Sequence, residues 1–203
     1  MAIPGREQVR GEILRYFELP GARFLRALRL TPNTVTLMGF GLSLVAAYLV
    51  GSGWLLAGGI VFLLGGGLDL LDGALARLTG TVSYFGALLD SVFDRLGEAA
   101  LFVGIAIYSL RAGFSDLYVL FFITVLLLAL IFSQGVSYLR ARGEGLGVFT
   151  RAGLMTRPER VVLLGIGLLA DQIVWIMLVI AVVSCFTLFQ RMFTIRRQLD
   201  RGG

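Results

Sequence analysis

Four aspartates, Asp69, Asp72, Asp90 and Asp94, lie in otherwise apolar stretches of this sequence and could do chemistry together. The first two are three residues apart and the last two are four apart, so in helices each pair shares one face. An antiparallel hairpin over residues 79–81 would bring the two faces together. Four negative charges repel one another, and a ligand set made only of carboxylate oxygens suits hard ions such as Mg²⁺ or Mn²⁺. The cluster therefore predicts a divalent-cation site.

A structural alternative is a network of helix–helix salt bridges in which Arg77 and Arg95 are the partners of the aspartates. Charge balance opposes it, because these arginines cannot neutralise four carboxylates. Gly73 and Gly86 flank the carboxylates and would let a bulky ligand approach the backbone. Carboxylates in or near a bilayer are costly and are tolerated when they line a functional cavity. We therefore favour the functional interpretation.

Composition limits the class of protein that could carry this site. Of the 203 residues, 57% are hydrophobic and 15% charged, against roughly 45–50% and about 25% in ordinary soluble domains. This excludes a water-soluble enzyme. The 18 basic residues are all arginine and the chain has no histidine, which excludes histidine bases, lysine Schiff bases and histidine-ligated metals. With one cysteine, Cys185, no internal disulfide can form, and residues 1–12 show no apolar segment typical of a cleavable signal peptide.

Six apolar stretches approach the length of about 20 residues that a helix needs to cross a bilayer. We predict an all-α integral membrane bundle of six transmembrane helices with an N-terminal interfacial amphipathic helix. The catalytic transmembrane domain would occupy residues 31–203, and Thr31 and the Thr156–Glu159 pair would cap its first and fifth helices. The predicted spans are residues 33–51, 54–77, 83–110, 116–139, 157–171 and 173–195.

Arginine placement predicts the orientation of the bundle. With six crossings, sixteen arginines fall on one face, Arg111 falls on the other, and Arg95 lies within a span. Basic residues near span ends stay cytoplasmic, so we expect a multi-pass protein of the cell (plasma) membrane with both termini in the cytoplasm. Residues 1–30 would form a cytoplasmic or interfacial amphipathic segment in contact with membrane lipids, interrupted at residues 19–21. An ordinary cytoplasmic helix packed on the bundle is the alternative for this segment.

The spacing of the aspartates extends into a longer motif. Asp69-x-x-Asp72-Gly73-x-x-Ala76-Arg77, then eight residues, then Gly86-x-x-x-Asp90-x-x-x-Asp94, resembles the signature of the CDP-alcohol phosphotransferases. The resemblance implies transfer of a phosphatidyl-type group from a CDP-linked lipid to a hydroxyl, with release of CMP, in a homodimer whose site faces the cytoplasm. It also implies two Mg²⁺ (or Mn²⁺) ions per active site.

The same resemblance assigns roles to individual residues. Asp69, Asp72 and Asp90 would be metal ligands. Asp94 would be a ligand of the second metal and the general base, which fits a chain without histidine or lysine. Further residues would form the nucleotide-binding cradle: Pro32, Asn33, Thr34, Gly73, Ala76, Arg77, Ser83 and Gly86.

A group of arginines at the predicted cytoplasmic ends of spans four to six could bind the acceptor. Guanidinium groups bind phosphate in a bidentate manner and always carry charge. Residues 137–144 and 157–160 resemble the acceptor-side segments of the branch that uses inositol phosphate, in bacteria and archaea. We therefore predict a phosphorylated polyol acceptor, with inositol 1-phosphate first and glycerol 3-phosphate, as in a phosphatidylglycerophosphate synthase, second. The acceptor-binding candidates are Arg140, Arg142, Arg157, Arg160 and Arg191.

Other interpretations stay open for both groups of residues. The positive-inside rule and contact with anionic headgroups would also explain the arginines. A divalent-cation transporter would place aspartates in its spans, although here only apolar residues and glycines lie beyond them, and a lipid-binding scaffold would leave the aspartates unexplained. We expect no nucleic-acid partner. Release of CMP that depends on a metal would discriminate among these classes.

Overall fold

A computed structural model describes residues 18–150 and 153–202 of the chain. Every regular element in these ranges is an α-helix, which confirms the predicted all-α class. The described part of the first helix, α1, covers residues 18–27. The other helices are α2 (Pro32–Gly51), α3 (Leu55–Thr79), α4 (Tyr84–Arg111), α5 (Asp116–Gly145), α6 (Arg157–Leu169) and α7 (Ile173–Gly202). Helices α2 to α7 correspond one to one with the six predicted apolar segments.

Four helices are long and apolar enough to cross a membrane: α2, α3, α5 and most of α7. The chain is therefore a multi-pass membrane protein. Helix α6 has 13 residues, fewer than the roughly 20 that a straight crossing needs. Helix α4 has the length, with 28 residues, but contains acidic side chains and Arg95. Length and composition thus identify four candidate crossings among the described residues. They do not establish the predicted number of six.

The first of two compact units, the aspartate unit, comprises Met1–Leu42 and Leu64–Gly97. Its described core is a small apolar cluster of residues from α1, α2 and α3, in which Ala22 and Leu75 are fully buried. Phe40 of α2 packs against Phe93 of α4 in a tilted arrangement, with ring centroids 4.7 Å apart. The aspartate unit thus joins the helices that carry all four aspartates.

The N-terminal segment differs from its prediction. Residues 18–27 form one helix that continues through Pro20 and Gly21, so the predicted interruption at residues 19–21 is wrong. A Cβ on Gly21 would lie 2.6 Å from Leu71 Cδ2, which shows that this glycine permits close packing on α3 rather than ending the helix. Burial of Ala22 and Leu25 supplies stability that local propensity lacks. Residues 1–17 of the predicted amphipathic segment, which include its apolar positions Val9, Ile13 and Phe17, lie outside the described residues.

The second unit, the arginine unit, comprises Ser43–Leu63 and Glu98–Gly203. In it α7 packs against α5 and α6, around a larger apolar core that includes Phe102, Phe122 and Met177. Small residues allow close approach between helices. A Cβ on Gly104 would lie 2.3 Å from the carbonyl oxygen of Ala47, so only glycine fits there.

The two predicted helix caps have different outcomes. Thr31 precedes α2, and its Oγ1 accepts a hydrogen bond from the Thr34 N–H at 3.3 Å, which confirms that cap. Thr156 has the extended backbone of an N-cap residue but makes no side-chain cap to the backbone. Its hydroxyl donates to the Glu159 carboxylate, and no side-chain oxygen accepts a backbone N–H at this helix start, so the predicted capping box does not form.

Candidate active site

Asp72 is buried on α3 and held by a residue of α2. The Thr36 hydroxyl donates a hydrogen bond to Asp72 Oδ2 at 2.6 Å, and both side chains are buried. The same hydroxyl lies 3.2 Å from the carbonyl oxygen of Pro32. A hydrogen bond to an ionised carboxylate is short and about twice as strong as a neutral one. Thr36 therefore fixes the orientation of one predicted metal ligand.

Asp69, one turn before Asp72 on α3, also faces α2. Gly39 lies opposite it on α2, where a Cβ would come within 2.5 Å of Asp69 Oδ1 and 3.3 Å of the carbonyl oxygen of Gly65. Helices α2 and α3 thus place Thr36 and Gly39 against Asp72 and Asp69, each pair spaced by three residues. The sequence analysis did not identify either α2 residue, although this matching spacing was a signal that could have found them.

Helix α4 adds the second pair of carboxylates to the aspartate unit. Asp69 and Asp90 are both close enough to Asp72 to repel its negative charge. Asp94 follows Asp90 by one turn of α4 and so shares its face. These oxygen-only donors fit a hard divalent cation by chemistry. Among residues 18–150 and 153–202, no group of three or more acidic, histidine or cysteine side chains has the geometry of a formed metal site.

Arg77 does not serve as the counter-charge that the salt-bridge alternative requires. Its Nη2 pairs with Glu18 Oε2 at 2.9 Å, between α3 and α1. Arg95 Nη1 donates to the carbonyl oxygen of Ser91 at 2.7 Å. Arg77 therefore balances a carboxylate outside the aspartate cluster.

Part of the predicted nucleotide cradle comes together at the start of α4. A Cβ on Gly86 would lie 3.1 Å from Ser83 Oγ and 3.3 Å from Asn33 Oδ1, so these three residues meet. Ser83 also caps α4, because its Oγ accepts the Gly86 N–H at 3.0 Å. At Gly73, the nearest atom to a Cβ would be Arg77 Nη1 at 3.4 Å. Both predicted glycines thus border polar side chains of the cradle.

The remaining cradle residues have local structural roles. Pro32 is the first residue of α2, and the Thr34 hydroxyl lies 2.8 Å from that of Thr31 in the cap. The carbonyl oxygen of Ala76 accepts the Thr81 N–H at 3.0 Å, which shapes the turn after α3. These contacts shape the first turn of α2, which carries Asn33, and the turn after α3, which leads to Ser83.

In the arginine unit, Arg160 is buried with its counter-ion. Its Nε and Nη2 donate to the two oxygens of Glu98 at 2.6 and 2.7 Å, and the two side chains are 1% and 2% exposed. Ser137 Oγ lies 3.4 Å from Nη2. The predicted acceptor residue Arg160 is thus part of a bidentate ion pair between α6 and α4.

Arg191 is also buried, and its Nη1 donates to the carbonyl oxygen of Val136 at 2.7 Å. The segment before α6 covers it. A Cβ on Gly153, which has φ +136, would lie 3.1 Å from Arg191 Nε, and the Met155 N–H donates to Thr187 Oγ1 at 3.1 Å. Glycine is therefore required where the backbone passes over the guanidinium.

Three of the five predicted acceptor arginines share one electrostatic environment. Arg140 and Arg160 are close enough to Arg191 to repel its charge, and Glu144 and Glu159 attract it. Arg140 is exposed and pairs with Glu144 at 2.9 Å. Such a concentration of positive charge suits a phosphate group. Of the other two candidates, Arg142 lies at the end of α5 and is exposed. Arg157 lies at the start of α6 and is half-buried.

Comparison with known proteins gives a consistent result. Residues 29–187 match the sequence profile of the CDP-alcohol phosphatidyltransferase family. The chain is 36% identical to the archaetidylinositol phosphate synthase of Pyrococcus horikoshii, over 88% of this chain and 90% of the relative. It is also 36% identical to the phosphatidylinositol phosphate synthase of Mycobacteroides abscessus, over 87% and 82% of the two chains.

Solved structures show the same similarity in three dimensions. The crystal structure of the Mycobacterium tuberculosis phosphatidylinositol phosphate synthase with CDP-DAG bound superposes with a TM-score of 0.77 at 32% identity, covering 87% of this chain and 92% of that one. The same enzyme in complex with manganese and citrate gives a TM-score of 0.76, covering 88% of each chain.

Proposed function

Because the chain belongs to the CDP-alcohol phosphatidyltransferase family, we propose that it is a phospholipid-synthesis enzyme that transfers a phosphatidyl-type group from a CDP-linked lipid to inositol 1-phosphate. The observation that carries this proposal is the placement of Arg140 and Arg160 within electrostatic range of the buried Arg191. Glu98, Glu144 and Glu159 balance these guanidinium groups, and a phosphate dianion would replace an exposed partner such as Glu144. The relatives named as inositol phosphate synthases support the same acceptor.

On the donor side, Asp69, Asp72 and Asp90 would hold two Mg²⁺ or Mn²⁺ ions, with Asp94 as a further ligand of the second. When bound, such ions neutralise pyrophosphate charge and align the attacking and leaving oxygens. The manganese complex of the structural relative supports this choice of metal. Thr36 and Gly39 would keep the α3 carboxylates oriented for the task, through the contacts described above.

The nucleotide would bind along the cradle. Asn33 and Ser83 supply polar atoms that meet beside Gly86, and Gly73 leaves backbone exposed near Arg77, which carries positive charge for a phosphate. The proposed set also includes Pro32, Thr34 and Ala76, which shape the loops. The relative with CDP-DAG bound supports a CDP-lipid donor.

The proposed reaction uses these assignments. Asp94 would accept the proton of the acceptor hydroxyl while the hydroxyl oxygen forms a bond to the lipid phosphorus. The bond between that phosphorus and the CMP oxygen breaks, and CMP leaves with the electron pair. In a chain without histidine or lysine, a carboxylate is the available base of suitable type.

The acceptor phosphate would bind the arginines rather than the aspartates. Arg140 is exposed and can exchange its Glu144 partner for a ligand, since a surface ion pair contributes only about 0–1 kcal/mol. Arg191 and Arg160 are held in place by Val136 and Glu98. We include Arg142 and Arg157 as outer contributors of positive charge.

In the membrane, we propose that all six helices α2 to α7 cross or enter the bilayer, with both termini and the active site cytoplasmic. The distribution of arginines along the sequence supports this orientation. Helix α1 would lie in the headgroup layer, where the exposed Phe24 and Leu28 would contact lipid. The functional assembly would be a homodimer, as the family resemblance implies.

Purified protein in detergent, given a CDP-lipid and Mg²⁺, tests the proposal by CMP release with a panel of acceptors. We expect inositol 1-phosphate to be the best acceptor, ahead of glycerol 3-phosphate, inositol and serine. Preference for glycerol 3-phosphate would reassign the enzyme as a phosphatidylglycerophosphate synthase. Cation flux into vesicles without CMP release would instead establish a transporter.

The arginine assignment has its own test. Loss of one charge-assisted hydrogen bond should raise the acceptor KM of Arg140→Ala by about ten-fold or more, with the donor KM unchanged. Arg196→Ala is the matched control, because Arg196 is an exposed α7 residue that pairs with Asp200 at 3.7 Å. Equal effects in both variants would show that the arginines only contact lipid.

A further inference from the structure

The buried ion pair of Glu98 and Arg160 needs an explanation beyond stability. Both side chains are almost completely buried, and the residues lie 62 positions apart in the sequence. Replacing a buried ion pair by apolar residues of similar volume is often neutral or stabilising. A charged pair in the interior of such an apolar protein therefore points to a role for the charge itself.

The hydrogen bonds of Arg160 are distributed unevenly over its three nitrogens. Nε and Nη2 both donate to Glu98, while Nη1 is buried without a hydrogen-bond partner among the described residues. A buried donor without a partner carries a desolvation penalty, which an incoming acceptor oxygen would remove. Because the guanidinium is planar and rigid, fixing two nitrogens on Glu98 also fixes the direction in which Nη1 points.

We propose that Glu98 is a positioning residue that holds the Arg160 guanidinium so that Nη1 donates to the phosphate of the acceptor. This inference rests on the proposed function, because it takes the phosphorylated acceptor as the ligand. The proximity of Arg140 and Arg191 places further positive charge at the same location.

If Glu98 positions Arg160, its substitution should raise the acceptor KM, whereas if Glu98 competes with the phosphate for Arg160, its substitution should lower it. If Glu98 only competes with the phosphate for Arg160, Glu98→Gln removes the competitor and lowers the acceptor KM. If Glu98 positions Arg160, Glu98→Gln loses one of the two hydrogen bonds and raises the acceptor KM. Glu98→Asp keeps the charge but withdraws the carboxylate by one methylene, so positioning predicts a raised KM here as well.

The experiment measures acceptor KM, donor KM and thermal midpoint for Glu98→Gln, Glu98→Asp and the control Asp200→Asn, whose ion pair with Arg196 is exposed. Direct binding of inositol 1-phosphate, and of inorganic phosphate as the simpler probe, is measured by calorimetry without donor. We expect both Glu98 variants to raise the acceptor KM and weaken inositol 1-phosphate binding by about ten-fold. The donor KM should not change, and the control should match the unmodified protein.

Several results would overturn the inference. Each of three results would contradict the positioning role of Glu98: a lowered acceptor KM in Glu98→Gln, an unchanged acceptor KM in Glu98→Asp, or equal shifts of the acceptor KM and the donor KM. Failure of the conservative Glu98→Asp variant to fold would show that the pair is structural. If the unmodified protein does not use inositol 1-phosphate, the proposed function fails first; if it does and the variants behave like it, only the inference about Glu98 fails.

Discussion

Replacing Gly39 by alanine should separate the geometry of the aspartate cluster from the mere presence of its carboxylates. The new Cβ would lie 2.5 Å from Asp69 Oδ1, whereas ordinary van der Waals contact begins at 3.4 Å. The contact must therefore open by about 0.9 Å, the difference between these two distances. Because the carbonyl oxygen of Gly65 lies 3.3 Å from the same position, the α3 backbone also restricts how the helices can adjust.

A displacement of this size is large for a metal ligand. Mg²⁺ demands near-ideal octahedral geometry with oxygen distances of about 2.0–2.1 Å. Perturbing the groups that orient metal ligands typically costs about 10–100-fold in metal affinity or activity. We therefore expect Gly39→Ala to raise the Mg²⁺ concentration for half-maximal CMP release by about 10–100-fold.

The free energy of unfolding should change by no more than about 2 kcal/mol in this variant. Overpacking typically costs about 1–3 kcal/mol, but alanine is a better helix former than glycine by about 1 kcal/mol. The two effects partly cancel. A thermal melt in detergent measures the remainder and shows whether lost activity reflects unfolding.

Gly41→Ala is the matched control, since it lies on the same helix and a Cβ there would meet nothing within 4 Å. The assay is a Mg²⁺ titration of CMP release for both variants, together with Mn²⁺ binding measured by electron paramagnetic resonance. The control should match the unmodified protein. Equal metal requirements in Gly39→Ala and Gly41→Ala would refute the reasoning that α2 sets the position of Asp69.

Three further predictions concern the same unit. Thr36→Val removes the hydroxyl that binds Asp72 and should also raise the Mg²⁺ requirement about 10–100-fold. The control Thr124→Val removes only a hydrogen bond to the Leu120 carbonyl and should leave the requirement unchanged. Equal Mg²⁺ titrations of the two variants would contradict the role of Thr36 in orienting Asp72. Asp94→Asn should lower the rate by about 10²–10⁴-fold while CDP-lipid binding persists in an equilibrium assay, and turnover at the unmodified rate would place the base elsewhere. Asp90→Asn should abolish turnover, as should excess chelator on the unmodified protein, and CMP release that continues in chelator would rule out metal dependence.

The sequence by itself determined the class of the protein and the location of its carboxylate chemistry. The lengths of the apolar stretches predicted helices α2 to α7, because the hydrocarbon thickness and the helical rise are fixed quantities. The spacing of Asp69, Asp72, Asp90 and Asp94 placed each pair on one helix face for the same local reason. A composition without histidine and lysine restricted the candidates for base and metal ligand.

Only the tertiary structure decided which groups contact these side chains. Thr36 and Gly39 lie 36 and 30 positions before the aspartates that they contact, and Glu98 lies 62 before Arg160. The continuation of α1 through Pro20 likewise depends on packing against Leu71. The hydrogen bond of the Thr156 hydroxyl depends on the position of the Glu159 carboxylate. Sequence periodicity reports which residues share a helix face, but which faces meet depends on the sum of side-chain packing between helices, and this sum exists only in the folded chain.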